Sequence, residues 1–126
     1  MKLNHIDLQV PDVQEAAAFF AHWFGFVPTS SRTSAAIAIL RGDPDFTLVL
    51  QRARPGATYP DGFHIGFLVD DAETVVDFQR RARAGGLEVS DVERNGRGTM
   101  AYCYGPGRIL VEVSCRRGAE RAGSTG

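Results

Sequence analysis

The 126-residue sequence predicts an α+β protein of two similar modules, each reading strand, helix, then two or three strands. Three observations predict this class. The stretch HIDLQVPD at residues 5–12 is matched by HIGFLVDD at residues 64–71. Each stretch is followed by apolar residues at helical spacing, and then by apolar runs typical of strands. Only two copies exist, offset by about 59 residues, which indicates a duplicated module rather than a long repeat array.

The opening strand of each module alternates in polarity, which assigns one face to a helix and the other to a site. In the first module, the face expected to pack on the core carries Ile6, Leu8 and Val10, and the opposite face carries His5, Asp7 and Gln9. In the second module, the core face carries Phe63, Ile65, Phe67 and Val69, and the opposite face carries His64, Gly66 and Leu68. In the last strand, the core face carries Val111, Val113 and Cys115, and the opposite face carries Leu110, Glu112 and Ser114.

Each helix is predicted to begin at an aspartate and to end at glycine. Asp12 caps the first helix, with Glu15 completing a capping-box-like pair, and Asp71 caps the second. Gly25 ends the first helix and Gly85 with Gly86 ends the second. The expected core-facing residues are Val13, Ala16, Phe20 and Phe24, then Ala72, Val75, Val76 and Ala82.

The runs that follow the helices are SAAIAILRG and FTLVLQRA in the first module, and GTMAYCYG and RILVEVSC in the second. The segment RPGATYPDG is rich in Pro, Gly and Asp and is expected to link the modules. We therefore expect one structural domain with these parts: a first module over residues 1–53, a linker over 54–62, a second module over 63–115 and a flexible tail over 116–126.

The composition is that of a globular protein, with 44% hydrophobic and 23% charged residues. A net charge of −1 argues against a general electrostatic attraction to nucleic acid or to an anionic membrane. Cys103 and Cys115 form no CxxC motif, so reduced thiols are expected. Without a cleavable apolar leader or a membrane-spanning run, the sequence predicts a soluble cytoplasmic protein.

Two imidazoles and one carboxylate on three strands are the side chains that bind divalent metal ions. The candidate metal ligands are His5, His64 and Glu112, with the two histidines at matching positions of the repeat. Three protein ligands leave coordination positions open for water or substrate, which is typical of a catalytic metal site rather than a structural one.

Three segments, LNHIDLQVPDVQEAAAFFAHWFGF, FHIGFLVDD and YGPGRILVEVSC, resemble the vicinal oxygen chelate superfamily. That group includes glyoxalase I, extradiol ring-cleaving dioxygenases, fosfomycin-resistance transferases and bleomycin-resistance binding proteins. The resemblance covers roughly residues 3–115 and implies paired βαβββ modules forming an eight-stranded open cup, usually completed as a homodimer. It also implies metal ligands at the positions of His5, His64 and Glu112.

The resemblance implies a fourth ligand position on the last strand of the first module, where members similar to glyoxalase I have Glu or Gln. Aligning LVEV with LVLQ places Leu50 there, and Gln51 would qualify only after a one-residue change of register. This departure argues against glyoxalase I activity. A set of two histidines and one glutamate resembles the Fe(II) ring-cleaving dioxygenases and the Mn(II) fosfomycin-resistance transferases.

The resemblance implies a basic residue and small hydroxyl residues for phosphonate binding in the fosfomycin-resistance members. Tyr102 matches a tyrosine of those members, but Val92 and Gly96 stand at the expected lysine and serine positions. The basic side chains available nearby are Arg94 and Arg97. These departures argue against fosfomycin as the substrate.

Alternation along the strands also predicts the side chains that line a ligand cavity. Asp7 and Tyr102 are the candidates for moving a proton during catalysis. The candidate substrate-binding residues are Gln9, Leu50, Met100 and Tyr104. Aromatic and apolar walls with a few polar groups suit a planar or bulky organic molecule.

Two functions fit this sequence. The first is a metal-dependent enzyme that uses Fe, Mn, Zn or Ni to bind a small organic substrate through two oxygen atoms, with dioxygenase, lyase and transferase chemistry all open. The second is a metal-free protein that sequesters an aromatic antibiotic or metabolite, as bleomycin-resistance members do. In both cases a homodimer with a small-molecule partner is expected, without nucleic acid or membrane.

Overall fold

The computed structural model describes residues 1–29 and 34–118, which fall into two compact units. Unit 1 is Met1–Tyr59 and unit 2 begins at Pro60, so the division lies within the predicted linker. Each unit has the order strand, helix, three strands. The α+β class and the pair of βαβββ modules are therefore confirmed. Most of the predicted tail, residues 119–126, lies outside the described part of the chain.

Unit 1 forms a four-stranded mixed sheet with one helix. Its elements are β1 (His5–Val10), α1 (Val13–Phe24), β2 (Val27–Pro28), β3 (Ile37–Gly42) and β4 (Phe46–Arg52). The strand order is β1-β4-β3-β2. β1 runs parallel to β4, and the other neighbours are antiparallel. Parallel pairing needs a crossover, and α1 with β2 and β3 supplies the chain for it.

Unit 2 repeats this arrangement. Its elements are β5 (His64–Leu68), α2 (Ala72–Ala84), β6 (Glu93–Asn95), β7 (Gly98–Tyr104) and β8 (Leu110–Arg116). The strand order is β5-β8-β7-β6, with β5 parallel to β8 and the other neighbours antiparallel. The first strand of each unit therefore lies beside the last strand of the same unit.

Both helices begin at the predicted aspartates. The Asp12 carboxylate accepts a hydrogen bond from the Glu15 N–H at 3.0 Å. The Asp71 carboxylate accepts from both the N–H and the hydroxyl of Thr74, each at 2.8 Å. These two bonds stabilise the ionised cap and lower the pKa of Asp71. α1 ends at Gly25, whose φ of 71° is the left-handed conformation that glycine adopts readily.

The helices bury one face each against their own sheets. α1 packs on β3 and β4, and α2 packs on β7 and β8. Phe20 is 1% exposed, and its ring lies 5.1 Å from the ring of Phe19 and 6.0 Å from that of Phe26. In α2 the large buried side chain is Phe78, which the predicted face did not include. Within the described residues, no helix combines the length and the hydrophobicity needed to cross a membrane.

Cys103 and Cys115 are buried free thiols on the side of β7 and β8 that α2 covers. Burial raises the pKa of Cys103 to about 11. The thiolate is the reactive form of cysteine, so a buried thiol of high pKa reacts slowly. We expect a colorimetric disulfide reagent at about pH 8 to leave Cys103 unmodified in the native protein and to modify both cysteines in denaturant. Modification of native Cys103 at the denatured rate would contradict this expectation.

Candidate functional site

The face of the unit 2 sheet opposite α2, called here the site face, carries the predicted site residues of this unit. His64 pairs with Leu110, and Gly66 pairs with Glu112, in the parallel register of β5 and β8. On the other side of β8, Glu112 pairs with Tyr102 of β7. Because paired residues on neighbouring strands point to the same face, Gly66 and Tyr102 flank Glu112 directly.

Tyr102 holds one oxygen of Glu112. Its hydroxyl donates a hydrogen bond of 2.6 Å to Oε1 of the Glu112 carboxylate. This bond to a carboxylate acceptor, together with partial burial, raises the pKa of Tyr102. The phenol therefore stays protonated and fixes the orientation of the Glu112 carboxylate. Tyr102 thus acts as a positioning residue.

Gly66 leaves space beside the second oxygen of Glu112. A Cβ atom placed at Gly66 would lie 3.4 Å from Oε2 of Glu112, its nearest neighbour. The backbone of Gly66 is not in the left-handed region, so the glycine matters through its missing side chain rather than through its conformation. Oε2 of Glu112 thus lies beside the space that a side chain at residue 66 would fill, while Oε1 is bound to Tyr102.

The tautomer of His64 is fixed by the backbone. Its Nδ1 lies 2.9 Å from the carbonyl oxygen of Gly62, so Nδ1 carries the proton and donates it to that oxygen. The lone pair is then on Nε2. The His64 ring lies edge-on to the Tyr102 ring, with centroids 6.3 Å apart, so both belong to the same cluster on the site face.

Arg97 reaches the site face from the turn between β6 and β7. Its Nη2 donates to Sδ of Met100 at 3.4 Å. The nearby phenol of Tyr102 raises the pKa of Arg97. Met100 is 2% exposed and lies on the face with Tyr102, as predicted. The Arg97 guanidinium and the Tyr102 hydroxyl thus both lie beside Sδ of Met100, at 3.4 and 3.5 Å.

Tyr104 also lies on the site face, and Arg108 covers one side of its ring. The Arg108 guanidinium carbon is 3.9 Å from the ring centroid, and Nη1 donates to the Glu88 carboxylate at 2.9 Å. Arg108 adopts a φ of 62°, a left-handed conformation that costs a non-glycine residue about 1–2 kcal/mol.

In unit 1, His5 has the same tautomer as His64. Its Nδ1 lies 2.9 Å from Oδ1 of Asn4, an acceptor, so Nδ1 carries the proton and the lone pair is on Nε2. In its neutral form, each predicted metal-binding histidine therefore has its lone pair on Nε2. Neither acceptor was predicted from the sequence, although Asn4 directly precedes His5 and Gly62 stands two residues before His64.

Asp7 and Gln9 lie on the predicted face of β1. Each also forms a hydrogen bond that was not predicted from the sequence. Oδ2 of Asp7 accepts a hydrogen bond from Nε2 of Gln51. The backbone N–H of Gln9 donates to the hydroxyl of Tyr59 at 2.7 Å. Because Gln9 pairs with Gln51 in the β1–β4 register, Gln51 shares the face of Asp7 without any change of register.

Leu50 lies on the other face, which corrects the prediction that it lines a cavity with Asp7 and Gln9. It pairs with Leu8, is fully buried, and belongs to the sheet that packs on α1. Apolar residues occupy three successive positions of β4, Leu48 to Leu50, so alternation could not assign the faces.

The alignment that placed Leu50 at the fourth ligand position is also corrected. Asp7 pairs with Val49, as Gly66 pairs with Glu112 in unit 2. The counterpart of Glu112 in unit 1 is therefore Val49, which offers no donor atom. The fourth ligand position therefore still lacks Glu or Gln, but the residue there is Val49 rather than Leu50.

The predicted metal ligands are divided between the units: His5 in unit 1, and His64 and Glu112 in unit 2. Across residues 1–29 and 34–118, no group of three or more His, Cys, Asp or Glu side chains has an arrangement suited to a metal ion. Within unit 2, His64 and Glu112 both contact Tyr102, one through its ring and one through its hydroxyl. The three-ligand set stays a prediction.

Solved structures resemble this chain over most of its length. A possible glyoxalase from Bacillus cereus is 30% identical with a TM-score of 0.82, covering 91% of this chain and 99% of that one. Lactoylglutathione lyase from Agrobacterium tumefaciens is 21% identical with a TM-score of 0.74, covering 90% and 92%. A mutant of the fosfomycin resistance protein FosX from Listeria monocytogenes, complexed with Mn(II) and 1S,2S-dihydroxypropylphosphonic acid, is 20% identical with a TM-score of 0.77, covering 95% and 95%.

A family comparison agrees with this fold. A search of curated proteins finds no match. The sequence profile of one superfamily matches residues 2–113, a range that extends from before β1 to Val113 of β8 and so includes both units. The profile match and the 30% identical structure lead to one conclusion: the chain belongs to the Glyoxalase/Bleomycin resistance protein/Dioxygenase superfamily.

Proposed function

We propose that this protein is a metal-dependent enzyme in which His5, His64 and Glu112 share one divalent ion and a small organic substrate binds through two oxygen atoms. The matched histidine tautomers carry the proposal. Each Nδ1–H is committed to an oxygen acceptor, which leaves Nε2 of each ring as a donor. Metal-binding histidines characteristically have such an acceptor on the other ring nitrogen.

The chemistry of Glu112 supports the same interpretation. With Oε1 bound to Tyr102, Oε2 beside Gly66 is the oxygen left to act as a ligand. Two imidazoles and one carboxylate suit Fe(II), Mn(II), Zn(II) or Ni(II). A divalent ion bound there would supply Lewis-acid polarisation of two substrate oxygens.

The remaining side chains are proposed to bind the substrate and to move a proton. Asp7 has Oδ2 bound to Gln51 and keeps Oδ1 as the proton acceptor. Tyr102, the other candidate for proton transfer, acts by positioning Glu112, because its hydroxyl proton is committed. Gln9 is proposed to contact the substrate, as are Met100 and Tyr104 with sulfur and aromatic surface.

The test is metal uptake by protein purified without a metal-binding tag. We expect about one equivalent of Fe, Mn, Zn or Ni per chain by mass spectrometry. In a Zn(II) titration followed by NMR of ¹⁵N-histidine, the Nε2 signals of His5 and His64 should shift. His22, an α1 residue outside the proposed site, provides an internal control whose signals should stay unchanged.

The opposite result would support the second function. A chain that takes up no metal from excess Fe(II), Mn(II), Zn(II) or Ni(II), yet binds aromatic compounds, would be a sequestering protein. The aromatic ring of Tyr104 on the site face favours a planar ligand in that case too. Such a result would overturn the metal-dependent proposal.

We also propose that the protein is a homodimer, as the resemblance to the superfamily implies. Size-exclusion chromatography with light scattering should then give a mass twice the chain mass of 13.7 kDa. A mass equal to that of one chain at micromolar concentration would contradict the dimer.

Tyr102→Phe is expected to lower the metal affinity about 10- to 100-fold, the range for loss of a residue that orients a metal ligand. The change removes the donor to Oε1, so the Glu112 carboxylate loses its fixed orientation. Competition with a fluorescent chelator measures the affinity. Tyr104→Phe is the matched control, since it removes the hydroxyl of a neighbouring tyrosine on the same face. Equal affinities of the two variants would contradict the positioning role.

A further inference from the structure

We propose that Asn4 is a positioning residue for His5: its side-chain amide holds the ring proton of His5 on Nδ1 and so keeps Nε2 as the nitrogen that binds the metal ion. The inference deepens the proposed function and rests on it for the presence of the metal. It comes from one hydrogen bond, from the backbone that supports this bond, and from a comparison with His64.

The hydrogen bond between Asn4 and His5 determines where the ring proton is. Oδ1 of Asn4 lies 2.9 Å from Nδ1 of His5, an ordinary length for an N–H···O bond. An amide oxygen can only accept, so His5 is the donor, and its lone pair is on Nε2. Neutral histidine in water carries its proton mainly on Nε2, so the Nδ1–H form needs an acceptor to hold it. Without Asn4, most molecules would have to move this proton before Nε2 could bind a metal ion.

The backbone at Asn4 and His5 is held by the neighbouring strand. The carbonyl oxygen of Asn4 accepts a hydrogen bond from the N–H of Thr47 at 2.9 Å, and His5 pairs with Thr47 in the parallel register of β1 and β4. The main chain of both residues is therefore fixed, and only their side-chain torsions remain to be set. The bond between the amide and the imidazole restricts these torsions, which is how a residue behind a metal ligand orients it.

His64 obtains the same tautomer from the main chain instead. Its acceptor is the carbonyl oxygen of Gly62, at 2.9 Å. The N–H of the same peptide, which belongs to Phe63, donates to the carbonyl oxygen of Pro60 at 3.1 Å. This peptide is planar and bonded at both ends, so the acceptor of His64 is fixed without any side chain. Only the His5 ring depends on a side chain that one substitution removes.

The chemical nature of Asn4 gives a variant that should restore its effect. Asparagine and aspartate have side chains of the same shape, so Asn4→Asp keeps an oxygen close to Nδ1 of His5. A hydrogen bond to an ionised acceptor is about twice as strong as one to a neutral acceptor. A carboxylate behind a ligating imidazole also raises the basicity of the ligand. Asn4→Asp should therefore match or exceed the wild type where Asn4→Ala fails.

The first measurement is the tautomer in metal-free protein, by NMR of ¹⁵N-histidine at about pH 8.5, where a histidine side chain is neutral. His5 and His64 of the wild type should both carry the proton on Nδ1. In Asn4→Ala the His5 ring should change to a mixture in which the Nε2–H form is the larger part. His64 is the internal control and should stay unchanged, and Asn4→Asp should return His5 to the Nδ1–H form.

The second measurement is Zn(II) affinity, by competition with a fluorescent chelator. Asn4→Ala should bind Zn(II) about tenfold more weakly than the wild type, the lower end of the range for loss of a residue that orients a metal ligand. Asn4→Asp should bind at least as tightly as the wild type. Gln14→Ala is the matched control, since it also removes an amide from unit 1, one that donates to the carbonyl oxygen of Ser34. Its Zn(II) affinity should equal that of the wild type.

Thermal unfolding separates positioning from a general loss of structure. Asn4 is exposed, and the bond from Thr47 to its carbonyl oxygen does not involve its side chain. Asn4→Ala should therefore keep the wild-type melting temperature within a few degrees. A fall in Zn(II) affinity matched by a large fall in melting temperature would assign the effect to folding and overturn the inference.

Three further results would overturn the inference: wild-type His5 with its proton on Nε2, an unchanged His5 tautomer in Asn4→Ala, or Asn4→Asp that binds Zn(II) as weakly as Asn4→Ala. Failure of the proposed function is seen separately. If Asn4→Ala changes the His5 tautomer but even the wild type binds no metal, the metal-dependent function fails and the positioning of His5 by Asn4 stands. If Zn(II) binds equally to the wild type and Asn4→Ala, the metal site stands and the positioning role fails.

Discussion

Gly98→Ala is expected to destabilise the protein by at least about 4 kcal/mol, which is a large part of the roughly 5–15 kcal/mol that keeps a typical domain folded. Gly98 begins β7 with a φ of 135°, a region closed to residues with a side chain. A Cβ atom there would overlap the carbonyl oxygen of Cys115 and lie 2.8 Å from the backbone nitrogen of Arg117. Backbone atoms of β8 cannot move away without breaking the pairing with β7.

Thermal and urea unfolding followed by circular dichroism would measure this effect. Gly96→Ala is the matched control. Gly96 lies two residues before Gly98, in the turn between β6 and β7, and its φ is outside the left-handed region. A Cβ atom there would have no other atom within 4 Å. It should change stability by less than about 1 kcal/mol. Equal stability of the two variants would mean that the start of β7 is not packed against β8 in this way.

His64→Ala is expected to abolish metal uptake, with an affinity loss of more than about 100-fold, since loss of a ligand exceeds loss of the residue that orients it. The substitution removes a donor and only the edge-on ring contact with Tyr102, because His64 is an exposed residue at the start of β5. The bond between Tyr102 and Glu112 does not involve His64 and should persist. The fold should therefore be retained while the metal is lost.

The metal content of the wild-type, His64→Ala and His22→Ala proteins is compared after purification and dialysis. His22→Ala controls for the loss of an imidazole elsewhere in the chain. His22 lies on α1, where its ring contacts Trp23, and it takes no part in the proposed site. His22→Ala should retain about one equivalent of metal. A His64→Ala protein with wild-type metal content would rule out His64 as a ligand.

The order of elements could be predicted because local chemistry is sufficient to specify it. Asp12 and Asp71 are short acceptors placed just before apolar residues at helical spacing, and both cap helices in the structure. β2 and β6 were harder to recognise, since strand patterns need several residues and these strands have two and three. Their presence depends on hydrogen bonds to β3 and β7, which the sequence of β2 or β6 alone does not encode.

The faces of the site could be predicted only where polar and apolar residues alternate. Tyr102 and Glu112 share a face, as predicted. β8 alternates between half-buried and buried residues over most of its length, whereas β7 does so only from Ala101 onward. β4 contains an apolar run, so the positions of Leu50 and Gln51 depended on pairing with β1 rather than on pattern. Alternation could not predict the contact of Arg97 with Tyr102 either, because a long flexible side chain from a turn can reach either face of a hairpin.

The hydrogen bond from Gln9 to Tyr59 has a consequence for how the protein avoids self-association. β1 is an outer strand of its sheet, and outer strands invite unwanted pairing with strands of other molecules. The Tyr59 hydroxyl occupies the outward N–H of Gln9, so the end of β1 nearest Val10 offers no vacant donor there to an incoming chain. A residue of the connecting segment thus covers one edge N–H of β1, and substitutions at Tyr59 should be tested for solubility as well as for stability.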